Sequence, residues 1–130
     1  MYRSELIEKA KQAMLGAYAP YSGFWVGAAL LCADGSIYTG CNIENASYTP
    51  TVCAERTAFF KAISDGHRDF SAIAICGGKE GKITGFFPPC GVCRQVMREF
   101  CRDDFTVHLI GDGQIKTRTL AQLLPDSFSL

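Results

Sequence analysis

The sequence predicts an α/β protein, a three-layer α/β/α sandwich whose mixed five-stranded sheet is covered by helices on both faces. Three observations carry this expectation. Helical and strand patterns follow in the order helix, two strands, helix, strand, helix, two strands, the order expected when one sheet is covered on two sides. Phe70 to Cys76 is a continuous apolar run of the kind found in a buried central strand. The length of 130 residues suits one compact domain, residues 1–130, that buries roughly two-thirds of its unfolded surface.

Each element has its own signal. Ser4 precedes Leu6, Ile7, Ala10, Ala13, Met14 and Ala17 at helical spacing, which predicts a first helix with Ser4 as N-cap and Gly16 and Pro20 as its stop. Phe24 to Cys32 suits a strand, and Asp34-Gly35 predicts a two-residue hairpin turn into a second strand, Ser36 to Cys41. Residues 42–52 form a polar connection. Cys53 to Ile63 repeats apolar residues at helical spacing, and Gly66 supplies its C-terminal stop. After the strand Phe70 to Cys76, the run Gly77 to Lys82 predicts a loop; it lacks the spacing of a phosphate-binding loop. Pro88-Pro89 precedes a third helix that starts near Cys90 and uses Val96, Met97 and Phe100 as its apolar face. Thr106 to Ile110 and Ile115 to Thr119 are separated by too few residues for a parallel crossover and should pair antiparallel. Leu120 to Leu124 predicts a last helical turn, followed by a short tail that carries Phe128. Right-handed crossovers place the second and third helices on one side of the sheet, where their N-termini can converge.

Composition excludes several classes of function. With 48% apolar and 20% charged residues the chain has the balance of an ordinary folded protein. Thirteen basic residues balance thirteen acidic ones, so no net field is available to hold a polyanion, and a nucleic-acid polymer is not expected as a partner. Met1-Tyr2-Arg3-Ser4-Glu5 leads straight into an amphipathic stretch without the apolar core of an export signal, and the apolar runs fall short of the ~20 residues that cross a bilayer. The expectation is a soluble, cytoplasmic protein with no membrane partner. Seven cysteines, an odd number in a reducing setting, point to metal or catalysis before a disulfide frame.

Three of those cysteines stand out. Cys53, Cys90 and Cys93 each lie where a helix is expected to begin, and there the backbone N–H groups and the helix dipole stabilise a thiolate, the form that binds zinc. A Cys-x-x-Cys pair with one distant cysteine supplies three ligands and leaves a tetrahedral position open, the arrangement of a catalytic site. Glu55, two residues after Cys53, is too far round an ideal helix to share its face, but first-turn side chains lean back over the N-terminal end and can meet there. Arg56 does share the face of Cys53, and a guanidinium donating to the sulfurs would offset the net negative charge of three thiolates on one zinc.

Thr51-Val52-Cys53-Ala54-Glu55-Arg56 and Pro88-Pro89-Cys90-Gly91-Val92-Cys93-Arg94-Gln95 resemble the two halves of the cytidine deaminase signature. The resemblance extends to the order of elements and to Asn42-Ile43-Glu44-Asn45-Ala46-Ser47-Tyr48, which look like those of the small homotetrameric form of the family, so it covers nearly the whole chain. It implies a single catalytic domain that holds one zinc ion through Cys53, Cys90 and Cys93 and converts cytidine and 2'-deoxycytidine, with water, to uridine, 2'-deoxyuridine and ammonia, a step of pyrimidine salvage. Glu55 would be the proton shuttle between water, N3 and the departing amine. By the same resemblance Asn42 and Glu44 hold the ribose hydroxyls, Phe24 packs against the base, Ala54 contacts substrate, and Tyr48 and Phe128 shape sites shared between neighbouring subunits of a homotetramer.

The residues also admit other readings. A non-catalytic structural zinc module would need a fourth ligand, another Cys or His67 or His108, yet no second Cys-x-x-Cys or His pair supplies one at ligand spacing. A thioredoxin-like dithiol at Cys90 and Cys93 would leave Cys53-Ala54-Glu55 without a purpose. A deaminase of a related cytosine nucleoside, of the blasticidin S type, fits the same motifs. Cys32, Cys41, Cys76 and Cys101 read as small buried hydrophobes. From pattern alone Phe24 and Phe128 are core aromatics, and Asn42 and Glu44 are a polar turn whose alternation points both side chains the same way if the strand continues.

Overall fold

The computed structural model describes residues 2–130. Its elements are α1 (Tyr2–Met14), β1 (Phe24–Cys32), β2 (Ile37–Cys41), α2 (Ala54–Ser64), β3 (Phe70–Lys79), α3 (Gly91–Phe100), β4 (Thr106–Ile110), β5 (Ile115–Thr119) and α4 (Leu120–Leu123). The strands form one sheet in the order β2-β1-β3-β4-β5. β3 and β4 are parallel and every other neighbouring pair is antiparallel, which makes the sheet mixed, as the element order predicts.

Strand alternation divides the core into two layers. Ala28 and Leu30 of β1, Ile73 and Ile75 of β3, and Val107 and Leu109 of β4 face α2 and α3, where they meet Ala58, Phe59, Ala62 and Met97. Ala29, Ala72, Ala74 and Cys76 face the other way and are covered by Leu6, Ala10 and Met14 of α1. The β3-α3-β4 unit is a parallel crossover, so α3 begins beyond the C-terminal end of β3. Cys41, the last residue of β2, pairs with Gly27 two places from the β1 residue Trp25 that meets Gly78, so β2 and β3 end at the same edge of the sheet. Both α2 and α3 therefore start there.

Four local expectations are corrected. Ser4 is not the N-cap of α1, because the helix already includes Tyr2 and Arg3; the helix ends at Met14, just ahead of the Gly16 stop. The hairpin turn has three residues between the hydrogen-bonded pair Cys32 and Ser36, with Gly35 at φ +95°; a loop of that length uses a left-handed residue in its last place. β3 continues through Gly77 and Gly78 to Lys79, which pair with Val26, Trp25 and Phe24. Glycines carry no side-chain signal for a strand, and here they allow the carbonyl of Lys82 to fold back against Gly78. α4 stops at Leu123, with a Thr119–Gln122 capping box fixing its start. No helix is long and apolar enough to cross a membrane among the described residues.

Both covering helices are seated on the sheet at glycines. A Cβ at Gly27 would overlap the α1 backbone at Ala10 and Met14, and one at Gly40 would overlap the α2 backbone at Ala54 and Ala58. Gly40 therefore sets how close the first turn of α2 lies to the sheet. Gly40→Ala should lower stability by about 1–3 kcal/mol, the usual range for overpacking. Gly85→Ala, where a Cβ meets nothing within 4 Å, should leave it nearly unchanged. Urea unfolding of the two variants is the comparison, and equal midpoints would show that the seating is loose.

Candidate metal centre and active site

Cys53 and Cys90 are the N-cap residues of α2 and α3, both with extended backbone and neither using its side chain as a cap. Their sulfurs are left free while the unpaired N–H groups of the helix starts lie beside them. Cys93 follows in the first turn of α3 and is buried. The three Sγ atoms lie within 4.8 Å of one another, and those of Cys53 and Cys90 are 3.7 Å apart. Two thiolates on one tetrahedral zinc stand about 3.8 Å apart, given Zn–S bonds of ≈ 2.3 Å, so the cluster fits the ion with little movement. A disulfide would need the sulfurs at about 2.05 Å.

The electrostatics of the cluster also call for a cation. The hydrogen bond from Cys93, reinforced by Arg56 and Cys90, pulls Cys53 down to about 5 against the opposing effect of burial. Cys93 moves the other way, because it donates that bond, is buried and faces the charge of Glu55 and Cys53. Protons alone thus leave the sulfurs unequal, and a bound divalent ion would allow all three to be thiolates. Arg56 Nη2 donates to Cys53 Sγ at 3.6 Å, as its position one turn along predicts.

Glu55 is 4% exposed, and burial pushes its carboxyl up to about 7, with the neighbouring Cys53 charge acting in the same direction. It lines one cleft of ≈ 260 Å³ together with Cys53, Cys90, Ala54, Asn42 and Glu44. The helical-wheel objection to a Cys53–Glu55 meeting falls away because Cys53 is the N-cap and not part of the helix. Thr51, Val52 and Pro88, which belong to the two signature motifs, complete the walls together with Val26 and Phe87, which were not singled out from sequence. Phe87 directly precedes the Pro88-Pro89-Cys90 helix start, which is the signal that could have found it.

The other candidate residues are arranged as follows. Asn42 splints the edge of the sheet: its Oδ1 accepts from Val26 N–H at 2.9 Å and its Nδ2 donates to the Phe24 carbonyl at 2.8 Å. Glu44 accepts from Tyr21 N–H at 2.9 Å, from Ser22 N–H at 3.1 Å and from the Ser22 hydroxyl. The Ser22 hydroxyl is the main reason that its carboxyl lies below the usual range. β2 ends at Cys41, yet Ile43 bridges to Tyr18 and Val52, which keeps Asn42 and Glu44 on the cleft side. Phe24 is 43% exposed and is not a core aromatic; it does not line the cleft, and its ring lies 5.8 Å from that of Phe87, which does. Tyr48 and Phe128 are 87% and 68% exposed and do not line this cleft; Tyr48 borders an adjoining hollow that shares Glu44 and Thr51. A larger groove between Tyr38, Phe60 and Asp65 holds none of the cysteines.

The model of the cytidine and deoxycytidylate deaminase zinc-binding region matches residues 2–109 of this chain. A cytidine deaminase of Sporosarcina psychrophila is 54% identical over 126 residues, which are 96% of this chain and 90% of that one. A cytidine deaminase of Halalkalibacterium halodurans is 53% identical over 130 residues, 99% of this chain and 96% of that one. Among solved structures, a cytidine deaminase from Burkholderia pseudomallei superposes with a TM-score of 0.90 at 47% identity, covering 98% of this chain and 100% of the other.

The convergence of three sulfurs gives a direct expectation. Serine at Cys53, Cys90 or Cys93 should each abolish the one zinc retained through exhaustive dialysis, whereas Cys76→Ala, in the α1-facing layer, should retain it. Metal analysis on the folded variants decides, and a full equivalent kept by Cys90→Ser would remove Cys90 from the ligand set.

Proposed function

The chain belongs to the cytidine and deoxycytidylate deaminase zinc-binding family, and on that premise we propose that it hydrolyses cytidine and 2'-deoxycytidine to uridine, 2'-deoxyuridine and ammonia. The observation that carries this reading is the pairing of a three-sulfur cluster with a buried carboxyl, Glu55, on the wall of one cleft. The residues 1–130 act as one catalytic domain built on one sheet.

Zinc, when bound by Cys53, Cys90 and Cys93, supplies a Lewis acid that activates water. The chain's own residues do the rest. Glu55, with its proton affinity raised by burial to near neutrality, can both take a proton and return it at neutral pH. The oxygen of water joins C4, the bond from C4 to the exocyclic nitrogen breaks, and the two protons of water pass through the Glu55 carboxylate to N3 and to the departing ammonia. Arg56 offsets the negative charge of the thiolates by donating to Cys53. Val26, Phe87 and Pro88 wall the cleft against bulk water, and Phe24 supports the wall through Phe87 for the base. The backbone at Ala54, on the same wall, is a substrate contact in this reading.

Asn42 and Glu44 face the sugar. The donors of Tyr21 and Ser22 keep Glu44 a fixed carboxylate, which accepts from hydroxyls and repels phosphate. Lys79, the cation beside this rim, donates to the Ser22 carbonyl at 3.1 Å and lies over the Phe24 ring, so it is engaged with the protein. The substrate is therefore a free nucleoside. The exposed rings of Tyr48 and Phe128 support a homotetramer in which neighbouring copies complete each other's sites. Seven free thiols, three of them required as ligands, suit the reducing cytoplasm.

Glu55→Gln should keep fold and zinc while lowering kcat by ~10²-fold or more, since the amide keeps the shape but cannot carry the proton. Turnover near that of the wild type in a zinc-loaded variant would assign the shuttle to another group. Cytidine should be deaminated far more efficiently than cytidine monophosphate or blasticidin S, as read from kcat/KM by ultraviolet assay. Comparable efficiency on the monophosphate would show that Glu44 does not face the sugar.

A further inference from the structure

A second group of metal-ligating side chains lies at the other end of the α2-covered face. Cys32 closes β1, Asp34 sits in the turn that follows, and His67 lies just after α2 and Gly66. Their Sγ, carboxylate oxygen and ring nitrogen lie within 4.8 Å of one another. We propose that Cys32, Asp34 and His67 form a second site for a zinc-class divalent cation, a clip joining the β1–β2 turn to the end of α2.

The two loops are already held in register. Ala33 N–H donates to the Asp69 carbonyl at 2.9 Å, and His67 N–H donates to the Ala62 carbonyl at 3.0 Å. Asp34 Oδ1 accepts from the Ser36 amide at 2.9 Å and hydroxyl at 2.6 Å, which leaves Oδ2 turned towards His67 Nδ1, 3.8 Å away. That gap is too long for a hydrogen bond. A tetrahedral ion with bonds of about 2.0–2.2 Å holds oxygen and nitrogen about 3.4 Å apart, so a closure of a few tenths of an ångström, in two surface loops, makes the pair ligands. The His67 ring is fixed edge-on by Tyr38 at 5.2 Å, and Tyr38 is anchored through its hydroxyl to Asp65 at 2.6 Å. These contacts do for the ligands what outer partners do in established metal sites: they fix ring and carboxylate orientation before the ion arrives. One thiolate, one imidazole and one carboxylate form a borderline-soft set suited to zinc rather than to calcium or magnesium.

Arg68, next in sequence, donates to the Ile63 and His67 carbonyls, so its guanidinium is occupied. Binding releases the Cys32 thiol proton to solvent and involves no change of oxidation state. The site uses none of the residues of the catalytic cleft.

The test adds Zn²⁺ to protein that already carries its dialysis-resistant zinc and counts bound metal by equilibrium dialysis, with thermal unfolding in parallel. The wild type should take up one further equivalent and gain stability with added zinc. Asp34→Asn and His67→Gln, both at surface loops, should keep the first zinc and bind the second at least about tenfold more weakly, without the thermal gain. No further equivalent in the wild type, or a second equivalent bound within tenfold as well by both variants, overturns the proposal.

Discussion

Three thiolates have to share one small volume, and their mutual repulsion is the constraint on which the rest of this structure depends. Negative charges a few ångströms apart in a half-buried site need compensation from cations, dipoles or both. The fold supplies dipoles by bringing the starts of α2 and α3 to one edge of the sheet and making Cys53 and Cys90 their N-caps. It supplies a cation through Arg56, which reaches back one turn to Cys53. Zinc, the largest charge in the site when bound, completes the balance.

The same arrangement determines what Glu55 can do. A carboxyl one residue inside α2 would ordinarily gain from the helix dipole and stay charged at neutral pH. Here the carboxyl is buried, and the adjacent sulfur charge acts with burial to raise its proton affinity. A group that exchanges a proton near neutrality is what hydrolytic deamination requires.

The rim of the cleft is built on a different principle. Glu44 and Asn42 are satisfied by backbone donors and acceptors of residues 21–26, so these two cleft-lining groups are fixed before a ligand arrives. Preorganised polar groups of this kind lower the ordering cost of binding. The exposed aromatic rings of Tyr48 and Phe128 stand outside that rim, on surfaces that a single chain leaves open.

The sequence by itself determined the five strands, the two-sided covering and the three cysteines of the candidate zinc site. Strand alternation and helical spacing are local, and the Cys-Ala-Glu-Arg and Cys-Gly-Val-Cys motifs state their chemistry in a few adjacent residues. Where the signal was not local, it was silent. Gly77 and Gly78 belong to β3 because β1 pairs with them, and a glycine has no side chain to announce this. Val26 and Phe87 line the cleft because four separate segments, at residues 26, 42–44, 51–55 and 87–90, meet there. Cys32 reads as a small buried hydrophobe and is one, yet the way the hairpin turn meets the end of α2 also brings its sulfur within 4.8 Å of ligand atoms of Asp34 and His67. Spacing along the chain specifies which ligands a short motif can offer. Distances between segments far apart in sequence are set by the way helices seat on the sheet, so only the tertiary structure decided which side chains share a cleft and how strongly burial shifts their protons.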